Sequence, residues 1–237
     1  MTFSIQRVSA IIVKDVKDLF KNSYMILITI LFPLGMAALL SDSDSDDVSM
    51  LGMPISMALV ITGAFVQATM MAEEKEKNTL RALLLSPATR MEIILGKSLL
   101  SSIITILVVI GSILISKIQI PEFFYFTIMI VLSIIIFISF GTIIGLVSRT
   151  VMETSIVGLP LLVIFAYGTI ISSALDNPVV STIVSYLPTE SLSSALLELG
   201  QNGGFSEIKW HLLNILLWAI GSLVLAVIVY GRRRFDK

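Results

Sequence analysis

Residues 71–98 read MAEEKEKNTLRALLLSPATRMEIILGKS, a charged stretch between two long apolar runs, Met50–Met71 and Ser98–Ser116. Its first half has helical chemistry. Glu73, Glu74 and Glu76 crowd an N-terminal turn, where the helix macrodipole favours negative charge. Glu73 and Lys77 are spaced as an i,i+4 pair. Leu80, Leu83 and Leu84 follow as an apolar stripe. Ser86-Pro87 breaks the helix, because proline disfavours a helical residue before it. Thr89-Arg90-Met91-Glu92 has the spacing of a capping box that opens a second helix. The stretch thus predicts a short helix, a corner, and a second helix running into the next apolar run. It reads either as a charged hairpin anchored at an interface or as a lever through which a partner moves its two flanking runs.

The stretch ends in Gly96-Lys97-Ser98, the last letters of a phosphate-binding loop. That motif needs a glycine where Met91 stands, and a preceding strand. Neither is present, so Lys97 reads as the marker of a span end and the chain as binding no nucleotide of its own.

Working outward, the chain of 237 residues is 56% hydrophobic and only 14% charged, with a mean hydropathy of +0.97. Soluble domains carry about a quarter charged residues; this composition is that of a membrane protein. A bilayer core needs about 20 apolar residues per helix. Six runs qualify: 24–40, 50–71, 98–116, 123–147, 154–175 and 210–230, none containing Asp, Glu, Lys or Arg. Backbone groups in lipid must be satisfied within their own element, so these runs are expected to be helices. The predicted fold is an all-α integral membrane protein, one transmembrane domain over 1–237, with six transmembrane helices.

Six spans place both ends on one side, and the positive-inside rule says which. All of the 16 basic residues except Lys117 and Lys209 fall in the N-terminal segment, the second-to-third and fourth-to-fifth connections, and the tail. Both termini are therefore expected in the cytoplasm of a plasma-membrane protein. Outside the spans, Ile5, Val8, Ile12, Val16 and Leu19 step along one face of a helix within 1–23, expected to lie in the inner interface. Residues 176–208, cut by Pro178 and Pro188, are too short to span. They either dip into the outer leaflet and return, or form interfacial helices.

Several function classes are excluded or weakened. There is no Cys and one His, His211, so thiolate chemistry and His-based metal centres are absent. The acidic loop around Asp42, Asp44 and Asp46 fails as a calcium loop, since Asp47 stands where glycine is needed. No nucleophile–base pair or carboxylate pair is visible, and no nucleic-acid partner is expected. Catalytic, metal and cofactor sites are all expected to be none. The spans hold neutral polar groups such as Gln67, Thr142 and Asn214, which in membranes serve as interhelical hydrogen-bonding groups. Gly141 and Gly145 form a small-xxx-small step that predicts a close helix contact, within a subunit or between two. Uncharged spans offer no site for a coupling ion, so energy for any uphill movement is expected to come from outside the bilayer.

The charged stretch resembles the signature of ABC-2 type transporter permeases at Glu74-Lys-Glu76-Lys-Asn-Thr79-Leu80, Leu84-x-Ser86-Pro87, Glu92-Ile93 and Leu95-Gly96-Lys97, departing at Asn78 where that family often has Gly. Phe32-Pro33, Ser148-Arg149-Thr150, Tyr186-Leu187-Pro188-Thr189 and the terminal Arg cluster are similar too. The resemblance implies the transmembrane permease subunit of an ATP-binding-cassette exporter. Residues 73–97 would be the cytosolic coupling region, with Glu73, Glu74, Lys75, Glu76, Lys77, Thr79, Leu80, Leu83, Leu84, Ser86, Pro87 and Arg90 meeting the ATPase. Partners implied are cytosolic ABC ATPase subunits, which bind ATP and Mg, a second permease copy or paralogue, and the lipid bilayer. The expected cargo is amphipathic or hydrophobic: a peptide, an antibiotic or a lipid-like molecule. The rival readings are a sodium or drug efflux permease, and a non-transporting membrane immunity or sensing component.

Overall fold

A computed structural model describes residues 4–21, 23–41, 48–77, 90–120, 122–201 and 203–232. Among these the chain is helical throughout, with no strand. In order come α1 (Ile5–Lys21), α2 (Ser23–Ile26), a π-helical stretch (Leu27–Leu31), α3 (Phe32–Ser41), a 3-10 turn (Val48–Leu51), α4 (Gly52–Met57), a second π-helical stretch (Ala58–Phe65), α5 (Val66–Glu76), α6 (Arg90–Ser116), α7 (Phe123–Val147), α8 (Val151–Leu175), α9 (Pro178–Ser185), α10 (Pro188–Gly200) and α11 (Phe205–Arg232).

Among the described residues, five helices are long and apolar enough to cross a membrane: Gly52–Glu76, Glu92–Ser116, Phe123–Val147, Val151–Leu175 and Phe205–Gly231. The run expected over 24–40 contains a shorter apolar helix, Leu27–Ser41. The spans also reach past their apolar runs: two of them take in Glu73–Glu76 and Glu92–Lys97, so the expectation of uncharged spans holds for their middles and not for their ends. The acidic loop over 42–47 and the tail beyond 232 lie outside the described residues.

Helix Gly52–Glu76 is the centre of the bundle, 89% of its span buried, against 17% for Phe205–Gly231 and 28% for Val151–Leu175. The outer helices turn Leu107, Leu114, Ile156, Leu217 and Val227 outwards. Apolar surface on this scale needs an apolar solvent, which makes the chain a multi-pass membrane protein. The core beneath joins Leu59, Met129, Phe137, Leu192 and Leu196, all without exposed surface.

The two π-helical stretches are bonded to each other. Pro33 has no N–H, so the Thr29 carbonyl loses its α-helical donor. The Thr62 hydroxyl donates to that carbonyl at 2.5 Å, from a site without exposure. Thr62→Val keeps the shape and removes the donor. It is expected to cost about 1 kcal/mol, read as a fall of roughly 2–4 °C in the melting temperature of the detergent-solubilised protein.

Segment 176–208 contains two helices, and its prolines start them instead of interrupting them. Pro178 and Pro188 occupy first turns, where the missing N–H has no intrahelical partner to lose. Asn177 caps α9 by accepting from the Val179 N–H at 2.9 Å. Asn214 and Trp218 of α11 both donate to the Tyr186 carbonyl, at 2.9 and 2.8 Å, and fasten the α9–α10 junction. α1 also differs from expectation: its buried face is Val8, Ile11, Asp15 and Leu19, while Ile5 is exposed. That face docks on α6, where a Cβ on Gly96 would lie 3.0 Å from Ile11 Cγ2.

Candidate functional site

Thr79, Leu80, Leu83, Leu84, Ser86 and Pro87 lie outside the described residues, as does the side chain of Arg90, whose backbone opens α6. The structure does describe both ends of the charged stretch, and there each charge has its own destination.

Glu73 pairs with Lys77, the local i,i+4 contact expected from spacing. Hydrogen bonding to Glu73 raises the Lys77 pKa above the usual lysine value. Glu74 turns inward instead. Its Oε1 lies 3.0 Å from Lys97 Nζ and 2.9 Å from Lys14 Nζ. Lys97 also reaches Asp15 at 3.1 Å, as does Lys14. Lys97 is 1% exposed, Glu74 3% and Asp15 5%. Two carboxylates and two ammonium groups thus neutralise one another where α1, α5 and α6 meet. Burial opposes the charge on Lys14, but hydrogen bonding to Glu74 and the charges of Asp15 and Glu74 outweigh it and raise its pKa.

Lys75 points to the C-terminus of α7. Its ammonium donates to the carbonyls of Gly145 at 3.1 Å and Ser148 at 2.9 Å, and to that of Leu146. Glu76 accepts from the N–H of Val151, the first residue of α8, at 2.8 Å. A cation at a helix C-terminus and an anion at a helix N-terminus both complement the macrodipole. Adjacent residues of one helix therefore clamp the two sides of the α7–α8 turn. That turn carries its own cap: the Thr150 hydroxyl accepts from the Glu153 N–H at 3.1 Å.

At the other end of the charged stretch, Glu92 of α6 reaches α1 and the residue before it. Its carboxylate receives Arg7 in a forked contact, at 2.8 Å from Nη2 and 3.0 Å from Nε, and the Ser4 N–H at 2.6 Å. The hydrogen bond to Glu92 raises the Arg7 pKa. Gly96-Lys97-Ser98 resolves into three structural tasks. Gly96 lets α1 approach, Lys97 joins the ionic network, and Ser98 accepts from Gln67 Nε2 at 3.4 Å.

Gln67 is the polar hub of the bundle and has no exposed surface. Its Oε1 accepts from Ser101 at 2.8 Å and its Nε2 donates to Thr142 at 3.0 Å, tying α5 to α6 and α7. Beside it, Gly141 and Gly145 face α5 and the π-helical stretch before it. Cβ atoms there would lie 2.8 Å from Gln67 Cβ and 2.6 Å from Met71 Cβ respectively. Their close contact is within the chain.

Sequence reasoning read Lys97 as the marker of a span end and missed its burial with Asp15 and Glu74, beside a half-exposed Lys14. A signal existed for Asp15, which falls on the same helical face as Val8, Ile11 and Leu19. A small cavity opens onto this network, lined by Asp18, Met25, Met70 and Glu73 among others. Among the described residues, no group of three His, Cys, Asp or Glu is arranged to hold a metal ion.

Residues 42–231, well over half of the chain, match the family described as ABC-2 family transporter protein. A comparison with curated proteins gave no match.

Proposed function

The chain belongs to the ABC-2 transporter family, and from that premise we propose that it is the membrane subunit of an ATP-driven exporter. Family membership makes it a transport component and implies an ABC ATPase as partner. The finer reading has six spans, the first built around Leu27–Ser41, with both termini in the cytoplasm. Two copies, or this chain and a paralogue, form the path. ATP is hydrolysed on the separate subunits, and the cargo is an amphipathic or hydrophobic molecule leaving the cell.

The observation that supports this best is the division of labour in Glu74-Lys75-Glu76. These residues end the most buried span and lead into residues 78–89. Glu74 engages α1 and α6, Lys75 the end of α7, and Glu76 the start of α8. A force applied to residues 78–89 would reach four helices at once without crossing the apolar middle of the bundle. The ionic network near it contains equal numbers of acids and bases, so it favours a mechanical junction over a gradient-driven ion site.

The test is to purify the chain with its ATPase and replace Leu80, Leu83 and Leu84 by Asp. The triple variant is expected to lose most of the permease-dependent ATPase stimulation, together with export from proteoliposomes. Normal values for both would show that force does not enter here. Failure of any nucleotide-hydrolysing subunit to co-purify would favour the immunity or sensing reading.

A further inference from the structure

At the end of α8 remote from the charged network, Tyr167 leaves helical geometry, with φ −126° and ψ 18°. The Thr189 hydroxyl donates to the Phe165 carbonyl at 2.7 Å, and a side chain inserted into the backbone ladder is a known cause of a kink. Gly168 lets the α9–α10 junction close on the bend, since a Cβ there would lie 2.9 Å from Leu187 Cδ1. Between this bend, the start of α10 and α4 lies a cavity of about 230 Å³.

Its walls are of two kinds. Met53, Phe165, Tyr167 and Leu187 supply apolar and aromatic surface, and Phe165 is backed by Phe137, Phe140 and Trp218. Glu190 supplies a half-buried carboxylate that accepts a hydrogen bond from Thr169. No Lys, Arg or His lies within ion-pair distance of Glu190 among the described residues, although Glu92, Glu74 and Asp15 at the other end of the bundle are all paired. A carboxylate partly withdrawn from water is stabilised by a cation. Hydroxyls of Ser56, Thr169, Thr189 and Ser193 complete the lining, and Glu190 is its one carboxylate; multivalent metal ions are held mainly by several anionic oxygens, which a single carboxylate does not supply. An organic ammonium group requires one carboxylate and polarizable aromatic surface.

We propose that this cavity binds a small organic cation, its alkylammonium group paired with Glu190 and packed against Tyr167 and Phe165. In the exporter reading, on which this clause rests, cationic amphiphiles are then the class of cargo or effector. Binding itself does not depend on transport.

The test uses the purified chain in lipid nanodiscs, without an ATPase. Trp218 lies 5.9 Å from Phe165 between ring centroids and reports on the site once Trp210→Phe removes the only other tryptophan. Choline is the probe, and 3,3-dimethylbutan-1-ol, its uncharged isostere, the control. Choline is expected to change Trp218 fluorescence saturably and to bind about tenfold or more tighter than the alcohol. Glu190→Gln is expected to abolish that preference and leave the alcohol unchanged, and Tyr167→Leu to weaken choline several-fold. Equal binding of the two probes, no saturable choline signal, or full choline affinity in Glu190→Gln would overturn the proposal. The comparison of probes needs no variant, so it decides the matter even if Glu190→Gln misfolds. An ATPase indifferent to this chain would sink the exporter reading and leave the binding result standing.

Discussion

Lys97→Met is expected to destabilise the protein by about 3–5 kcal/mol, the range for removing one partner of a buried ionic group. The lysine is 1% exposed and lies within 3.1 Å of both Asp15 and Glu74. Methionine fills the same volume, so the loss is electrostatic: two buried carboxylates are left with Lys14 alone. For a chain of this size the melting temperature in detergent should fall by roughly 6–20 °C. Lys97→Arg retains the charge and should lose less. The double variant Lys97→Met with Asp15→Leu is the sharper measurement. It removes one acid with one base and leaves the Lys14–Glu74 pair intact. Replacement of a whole buried pair by apolar groups is often neutral, so most of the lost stability should return, a coupling that a double-mutant cycle reads directly. A melting temperature for Lys97→Met indistinguishable from the unaltered protein would mean that this junction does not hold α1, α5 and α6 together.

The second large effect is steric. Gly141→Ala places a methyl 2.8 Å from Gln67 Cβ and closer still to the Ala64 carbonyl. Backbone on one side and the polar hub on the other leave nothing flexible to move aside. Gly145→Ala meets the Ala68 carbonyl and Met71 Cβ, both at 2.6 Å. Each substitution forces α7 away from the buried central span and is expected to cost about 1–3 kcal/mol or more. Displacement should also pull Thr142 from Gln67 and Lys75 from the end of α7. The two changes push the same helix in the same direction, so together they should cost less than their sum. Gly221→Ala is the control: nothing lies within 4 Å of its added methyl, and a helical glycine replaced by alanine gains up to about 1 kcal/mol. Melting temperature and recovery of monodisperse protein check all three. Equal behaviour of Gly141→Ala and Gly221→Ala would contradict the close contact.

Much of the fold was legible because the signals behind it are local. The run 123–147 coincides with α7, and the Gly141–Gly145 step pointed to a close contact. The site was legible only as a position. The charges of 73–77 were visible, but their partners were not, because a span-end lysine that snorkels and one that is buried in an ionic network are the same letter in the same place. Thr89–Glu92 had capping-box spacing, which said nothing of the Glu92 carboxylate holding Arg7, about 85 residues away in sequence. Pro160 lies inside α8, but the helix departs from regularity at Tyr167, where Thr189 intrudes from another helix.

By itself, the amino-acid order determined that this chain partitions into a membrane as helices, and that its charge lies outside the apolar runs. Hydropathy and helical period are sums over neighbours along the chain, and burial elsewhere does not alter them. Only the tertiary structure decided that Asp15, Glu74 and Lys97 neutralise each other, that Lys75 and Glu76 clamp a distant turn, and that Glu190 faces a cavity without a counter-charge among the described residues. Those outcomes depend on distances between groups 60 to 82 residues apart in the ionic network, and Coulombic attraction and desolvation respond to separation in space alone.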